Sequence, residues 1–379
     1  QGESDSSMTD ITLVIPTMNE QEGIGECIEK AKTAFEELGM EGEIIISDSS
    51  SDRTPEIARE KGARVVEPDK PGYGYAYRYA FQKADGDLIA MGDGDTTYDF
   101  SKLPDLIEKM REEGADMVMG SRLDGDIKPG SMPKLHKYIG NPLLTKFLNK
   151  FYGAGVSDAH SGMRVIKKDS LEKLDLKTDG MEFASEMIME AGARDLKIVE
   201  TPITYHERKG DATLHSFRDG WRHVKFMLLN APSYIFSLPG LILMVFGLSL
   251  LGLSLFNIQP SGQNLGANTT IAGFLLFLVG YQAESLSVFT SVTSDPIKDP
   301  GGRITKYILD KFSFERGLTV GFSLLGIGIA YALLLIYTWY NSGFSTVPTI
   351  NQSMAAFIGI FTGIQTIFYS MFLTIIMEK

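Results

Sequence analysis

The sequence predicts an α/β domain built on a mostly parallel sheet, followed by an α-helical membrane domain of four helices. Up to about residue 230, short β-branched runs alternate with amphipathic stretches. Polar and charged groups gather just after those runs, and four long apolar stretches follow. Each of the four reaches the ~20 residues needed to cross a bilayer core.

The elements follow in order. "ITLVIP" (11–16) is the first strand and precedes a helical stretch from Glu20 to Leu38. "EIIISDSS" (43–50) precedes a helix near Thr54 to Lys61. "LIAMGDGD" (88–95) and "DMVMGSR" (116–122) are separated by a helix over 101–113. In open parallel sheets, ligands bind outside the carboxyl ends of the strands. On this reading that rim carries Pro16, Thr17, Asn19 and Glu20, then Asp48 and Asp52, then Asp93 and Asp95, then Arg122.

The membrane helices are expected at about 233–257, 269–292, 317–340 and 354–377. Their glycines, including Gly247, Gly273, Gly280, Gly321 and Gly328, suit membrane helices better than soluble ones. The 258–268 and 341–353 connections hold no Lys or Arg, whereas 293–316 holds Lys298, Arg303, Lys306, Lys311 and Arg316. The positive-inside rule then puts that middle connection, the domain over 8–230 and the terminal Glu378-Lys379 on the cytoplasmic face of the cell membrane. Residues 1–7 read as a tag remnant, and no signal peptide is expected because Met8 leads directly into the first strand.

Composition bounds the partners. A net charge of -12 speaks against nucleic acid, so any bound anion must meet locally clustered cations. Cys27 is the single cysteine, which leaves no intrachain disulfide and fits a reducing compartment. Between Asp126 and Asp158 no acidic residue occurs, while Lys128, Lys134, Lys137, Lys146 and Lys150 alternate with Leu135, Tyr138, Ile139, Leu143, Phe147 and Phe151. That pattern predicts amphipathic helices on the membrane surface at about 130–152, broken at Asn141-Pro142, and again at about 211–230.

Asp93-Gly94-Asp95 is one of three Asp-x-Asp pairs in the domain. Asp85-Gly-Asp87 precedes its strand and reads as a turn; Asp124-Gly-Asp126 reads as loop. Only the middle pair falls on the functional rim. An EF-hand loop fails there, because Tyr98 stands where that loop needs glycine. A hard divalent cation, Mg²⁺ or Mn²⁺, shared with a substrate diphosphate fits two carboxylates, and Gly94 allows close backbone approach.

Taken together, "VIPTMNE", "SDSSSDRT", "KPGYGYAYRYAF", "GDGD", "MGSR" and "DAHSGMR" resemble, in order and spacing, the family-two glycosyltransferases. The similarity is to the polyprenyl-phosphate branch, typified by dolichol-phosphate mannose synthase, and covers Met8 to about Leu229. It implies a Rossmann-like GT-A domain, a nucleotide-diphosphate-sugar donor of the GDP-mannose or UDP-glucose type, metal-dependent inverting transfer, and a polyprenyl or dolichyl phosphate acceptor.

By the resemblance, Pro16, Thr17, Asn19, Glu20, Asp48, Asp93, Gly94 and Asp95 bind donor, with Asp93 and Asp95 holding the metal. Asp95 and Arg122 serve the chemistry. Arg122, Lys134, Lys137, Asn141, Asp158, Ser161, Arg164 and Arg208 meet the acceptor phosphate. Departures from the family pattern are Ser47 for the usual Asp, Thr97 for Gln and His160 for Thr.

A phosphate monoester is mostly dianionic at neutral pH, its second pKa being about 6, so the acceptor needs cations rather than a general base. A processive polysaccharide synthase is the rival enzyme reading. Its Gln-x-x-Arg-Trp motif is missing, and "DGWRH" reverses the order. A non-catalytic nucleotide-sugar-binding membrane protein is the other alternative. The Gly-rich crossings are compatible with a homo-oligomer.

Overall fold

The computed structural model describes residues 9–210, 216–230, 233–256, 258, 266–293, 297 and 303–377. The tag-like residues 1–7, residues 211–215, most of the 258–268 connection, Lys298 and Glu378-Lys379 lie outside the described residues. The chain divides into two compact units, Gln1–Met227 and Leu228–Lys379.

The first unit is a seven-stranded sheet in the order β3-β2-β1-β4-β6-β5-β7. Its elements are β1 (Ile11–Thr17), α1 (Ile24–Leu38), β2 (Gly42–Asp48), α2 (Thr54–Glu60), β3 (Arg64–Val66), α3 (Tyr73–Phe81), β4 (Leu88–Met91) and α4 (Leu103–Glu113). There follow β5 (Met117–Ile127), α5 (Asn141–Tyr152), β6 (Arg164–Lys167), α6 (Lys168–Leu171), α7 (Phe183–Ala193), β7 (Ile198–Tyr205) and α8 (Ser216–Leu229). β1 pairs in parallel with β2 and β4, β2 with β3, and β5 with β7, whereas β6 runs antiparallel between β4 and β5. The expected mixed, mostly parallel α/β sheet is thus present.

Strand periodicity explains the layers. Ile11, Leu13 and Ile15 of β1, Ile44 and Ile46 of β2, and Val118 and Val165 point to one face and pack on α1 and α4. Cys27, Ile28, Ala31 and Phe35 of α1 recur at helical spacing to meet them. Each fully buried Ile or Leu there contributes roughly 1.5–3 kcal/mol. α3 packs against β1 and β2, and also meets α7.

Several boundaries differ from expectation. β4 stops at Met91, opposite Val14, so the acidic pair lies in a turn and does not end the strand. The Tyr77 hydroxyl donates to the Gly92 carbonyl at 3.1 Å, taking it out of the ladder. Asp124-Gly125-Asp126 is not loop but the exposed extension of β5, beyond a register shift between Ser121 and Asp126. There a Cβ on Gly125 would stand 1.9 Å from the Ile203 carbonyl oxygen. The basic segment does not break at Asn141-Pro142. A wide helical turn over His136–Gly140 runs directly into α5, and Pro142 sits in the first turn of that helix, where its missing N–H costs little.

The second unit contains α9 (Leu238–Leu255), α10 (Ala267–Thr293), α11 (Arg303–Lys311), α12 (Phe314–Asn341) and α13 (Ile350–Met377). Four of its helices are long and apolar enough to cross a membrane. α9 packs on α10, α12 on α13, and α10 on α13. Gly247 meets Gly273 and Gly328 meets Gly359 so closely that an added Cβ would come within 3.0 Å of the facing backbone. Polar links reinforce the bundle: Ser254 with Thr270, Thr270 to Asn351, and Tyr281 with Thr366. Glu284 accepts from Ser237 at 3.0 Å inside this apolar unit.

Candidate active site

The strand ends assemble one rim. Thr17 and Asp48 are register partners at the ends of β1 and β2, and the Thr17 hydroxyl donates to Asp48 Oδ1 at 2.7 Å. Asp48 also accepts from the Ser50 amide and hydroxyl, while Asn19 Oδ1 accepts from the Ser51 amide at 2.9 Å. Asn19 holds φ at 61°, a left-handed conformation that asparagine tolerates. Pro16 lies beside Ser47 in the same ladder. Asp52 is occupied in starting α2, through the Thr54 amide and hydroxyl.

The turn after β4 brings Asp93, Gly94 and Asp95 against this edge. Gly94 packs so close to Ile15, Thr17 and Ile24 that a Cβ would meet all three side chains at 3.1–3.3 Å. Asp93 Oδ1 accepts from the Tyr73 hydroxyl at 2.9 Å. Asp95 Oδ1 accepts from the Thr97 amide at 3.1 Å and hydroxyl at 2.5 Å. Each carboxylate therefore has one oxygen pinned by neutral donors. Asp93 Oδ2 faces the space that Gly162 leaves, 3.1 Å from where a Cβ would stand.

Arg208 lies across the same site. The stretch after β7 is tied to the acidic turn by His206 N to the Thr97 carbonyl and Lys209 N to the Asp95 carbonyl, each 3.0 Å. Arg208 Nη2 pairs with Glu20 Oε1, and Nη1 stands 3.5 Å from Asp95 Oδ2. Two carboxylates thus converge on one guanidinium. Burial pushes the Glu20 carboxyl up to about 7, with Arg208 opposing and Asp95 and Asp93 adding. Burial and the neighbouring Asp95 push Asp93 up to about 6.

The acceptor-side expectations divide. Arg122 leaves β5 and forms a buried fork with Asp158: Nε to Oδ2 at 2.7 Å and Nη2 to Oδ1 at 2.9 Å. Its amide donates to the same carboxylate at 3.1 Å, and its guanidinium lies 5.2 Å from the Tyr205 ring centre. Burial works against the Asp158 charge, yet Arg122 holds that carboxyl below its ordinary range. Asp158, Ser161 and Arg164, expected with Arg122 at the acceptor phosphate, are all buried in this turn. Arg164 donates to the carbonyls of Ser161 and Ala159 and braces the turn from within. Lys134, Lys137 and Asn141 stand on the separate basic segment and make no hydrogen bond or ion pair with this cluster. Arg208, expected at the acceptor phosphate, pairs with Glu20 and stands 3.5 Å from Asp95.

Other residues escaped the sequence reading. Glu200 on β7 accepts from the amides of Ser157 and Asp158 and anchors the turn from the other side. Tyr98 accepts from the Gly162 amide at 2.7 Å. His160 contacts Ser185, which contacts His223 of α8. Only pairing across the fold reveals these; no local spacing marks them.

The donor set of the acidic turn suits a hard cation that brings its own ligands. Among the described residues no cluster of three or more His, Cys, Asp or Glu side chains could hold a metal alone. Asp93 Oδ2, together with Asp95 Oδ2 once Arg208 Nη1 at 3.5 Å gives way, fits a divalent ion completed by phosphate oxygens.

Residues 12–175 match the glycosyl transferase family 2 model, and residues 288–377 match the glycosyltransferase family 2 C-terminal transmembrane region. The chain belongs to glycosyltransferase family 2 and is a multi-pass membrane glycosyltransferase. It is 53% identical over 363 residues to the low-salt glycan biosynthesis hexosyltransferase Agl6 of Haloferax volcanii, covering 96% of this chain and 88% of that protein. A dolichyl-phosphate hexose transferase of the same organism is 32% identical over 211 residues, which are 56% of this chain and 89% of that one. A glucosyl-3-phosphoglycerate synthase of Mycobacterium tuberculosis, solved with Mn²⁺, UDP and product, aligns at 20% identity and a TM-score of 0.48, covering 59% and 80%.

Proposed function

We propose that this protein transfers a hexose, with inversion and with help from a divalent cation, from a nucleotide-diphosphate sugar to a polyprenyl or dolichyl monophosphate. The observation that carries this reading is the juxtaposition of an acidic turn, whose two Oδ1 atoms are pinned by neutral donors, with a buried arginine, in a chain that also crosses the membrane. The names of the two Haloferax relatives agree with it.

In this reading Thr17, Asn19, Glu20 and Asp48 line the nucleoside pocket, and Asp93 and Asp95 hold Mg²⁺ or Mn²⁺ on the diphosphate. The ion, when bound, neutralises the charge that builds on the departing diphosphate. Arg122 has Nε and Nη2 committed to Asp158, which fixes its plane and leaves Nη1 for the acceptor phosphate. A phosphate oxygen forms the new bond to the sugar's anomeric carbon as the bond to the donor diphosphate breaks. No proton needs to be removed from a dianionic acceptor. Lys134 and Lys137, with exposed Leu135, Tyr138 and Ile139 beside them, suit anionic headgroups and the lipid surface.

The test is incubation of membranes carrying the protein with a panel of labelled nucleotide sugars. Label in an organic-extractable, acid-labile lipid is the expected result. Label in insoluble polymer would instead support a processive synthase. The same panel identifies sugar and base.

We further propose that the sheet domain faces the cytoplasm of the cell. Cysteines introduced in the 258–268 connection should then react with an impermeant maleimide on intact cells, and cysteines near Lys306 should not. Cys27 adds little background, since it is buried and its thiol is pushed up to about 12, chiefly by that burial. The reverse labelling pattern would overturn the orientation.

A further inference from the structure

Helix α3 opens with Gly72-Tyr73-Gly74, and both glycines are forced by close contact. Gly72 has φ of 141°, and a Cβ there would lie 2.3 Å from the Asp179 carbonyl oxygen. A Cβ on Gly74 would lie 2.5 Å from the Thr178 carbonyl oxygen and 2.7 Å from Phe183. The amides of Gly74 and Tyr75 donate to the Asp179 carbonyl at 3.0 and 3.2 Å. The start of the helix is therefore clamped against the 178–183 segment, and Tyr73 is held inward.

Its ring is wedged edge-on against Tyr77 at 5.2 Å and Phe183 at 6.5 Å. From there the hydroxyl donates to Asp93 Oδ1 at 2.9 Å. One helical turn on, Tyr77 sends its hydroxyl to the backbone carbonyl of Gly92. Two tyrosines four residues apart thus grip the same turn, one by its backbone and one by its carboxylate.

We infer that Tyr73 is a positioning residue for the cation-binding carboxylate of Asp93; this rests on the proposed reading of Asp93 and Asp95 as the metal seat. A phenol suits the role for a reason of charge. A Lys or Arg in its place would fix the carboxylate but cancel the negative charge that a cation needs. A neutral O–H fixes the orientation and leaves the charge. Thr97 does the same for Asp95 Oδ1, whose other oxygen faces Arg208 Nη1 at 3.5 Å, so both carboxylates are presented with Oδ1 pinned by neutral donors. Partners of this kind, once removed, typically cost about 10- to 100-fold in metal affinity.

The experiment uses purified full-length protein and follows Mn²⁺ by electron paramagnetic resonance, in one series with saturating UDP and in another with GDP. Tyr73→Phe should weaken Mn²⁺ by about 10- to 100-fold. Nucleotide affinity measured in chelator should stay within about twofold of wild type, because a purely structural lesion would weaken both. Tyr75→Phe, which removes a hydroxyl on the same helix that donates to Asp69 and not to the acidic turn, should leave Mn²⁺ affinity near wild type. Unchanged Mn²⁺ affinity in Tyr73→Phe, with binding lost in Asp93→Asn, overturns the role of Tyr73 while sparing the metal seat. Unchanged Mn²⁺ affinity in Asp93→Asn, or no Mn²⁺ binding by wild type in either series, overturns the metal reading itself. An unfolded Tyr73→Phe protein beside a folded Tyr75→Phe protein would assign Tyr73 to the fold alone and also overturn the proposal.

Discussion

Asp95→Asn is expected to abolish sugar transfer while the protein stays folded. The amide oxygen can still accept from the Thr97 amide and hydroxyl, so the turn keeps its shape. Asparagine is the right variant here, because Asp95 is buried and two hydrogen bonds would be lost on truncation to alanine, about 1 kcal/mol each. Arg208 loses one partner and keeps Glu20. Removing the Asp95 charge also relieves its repulsion of Glu20 and Asp93 and offsets part of that loss. What disappears is a charged ligand for the cation that stabilises the leaving diphosphate. That effect amounts to several kcal/mol, or about three decades in rate. Wild-type protein in chelator should fall to the level of the variant, and the variant should not respond to chelator. Full turnover by Asp95→Asn in chelator would remove the acidic turn from the chemistry.

Arg122 should separate fold from chemistry by two substitutions. Arg122→Ala leaves the fully buried Asp158 carboxylate without its fork partner, which costs about 3–5 kcal/mol and lowers the melting temperature. Loss of activity in that variant therefore says little. Arg122→Lys keeps a positive charge beside Asp158 and should melt closer to wild type. An ammonium cannot fork to Asp158 and also offer a second edge to a phosphate. Transfer should fall by about two to three decades, or 2–4 kcal/mol, with donor and metal affinity nearly unchanged. Weak donor binding with normal turnover at saturating donor would instead move Arg122 out of the acceptor site. Asp158→Asn is the companion measurement. It should release the guanidinium from its fixed plane and raise the acceptor KM more than it changes donor affinity.

The segments readable from sequence are those whose signal is local. β1 and β2 are continuous apolar runs, as strands buried on both faces must be, and α1 and α4 show helical spacing. The membrane helices announce themselves by length and apolarity alone, since lipid demands both. β6 and β7 were not legible. β6 has four residues and begins with a buried arginine, and β7 carries Glu200, Thr201, Pro202 and Thr204, a polar run interrupted by proline. Both owe their conformation to neighbours already in place, and such context overrides weak local preference.

The site divides the same way. The sequence by itself determined the class of the protein, its membrane helices and the residues near the rim. Strand ends, the Asp-x-Asp turn and the lone arginine of "MGSR" are separated by short local rules and need no partner to be recognised. The tertiary structure alone decided what each of those groups faces. It turned Asp158 and Arg164 inward and set Arg208 across Glu20 and Asp95, contacts that the sequence reading of all three residues did not contain. It also brought Tyr73 to Asp93 across 20 residues of chain and Arg208 to Glu20 across 188. A side chain's partner across the sheet depends on strand order and register. Here an antiparallel strand inserted between β4 and β5 set both, and no local pattern in the chain encodes that insertion.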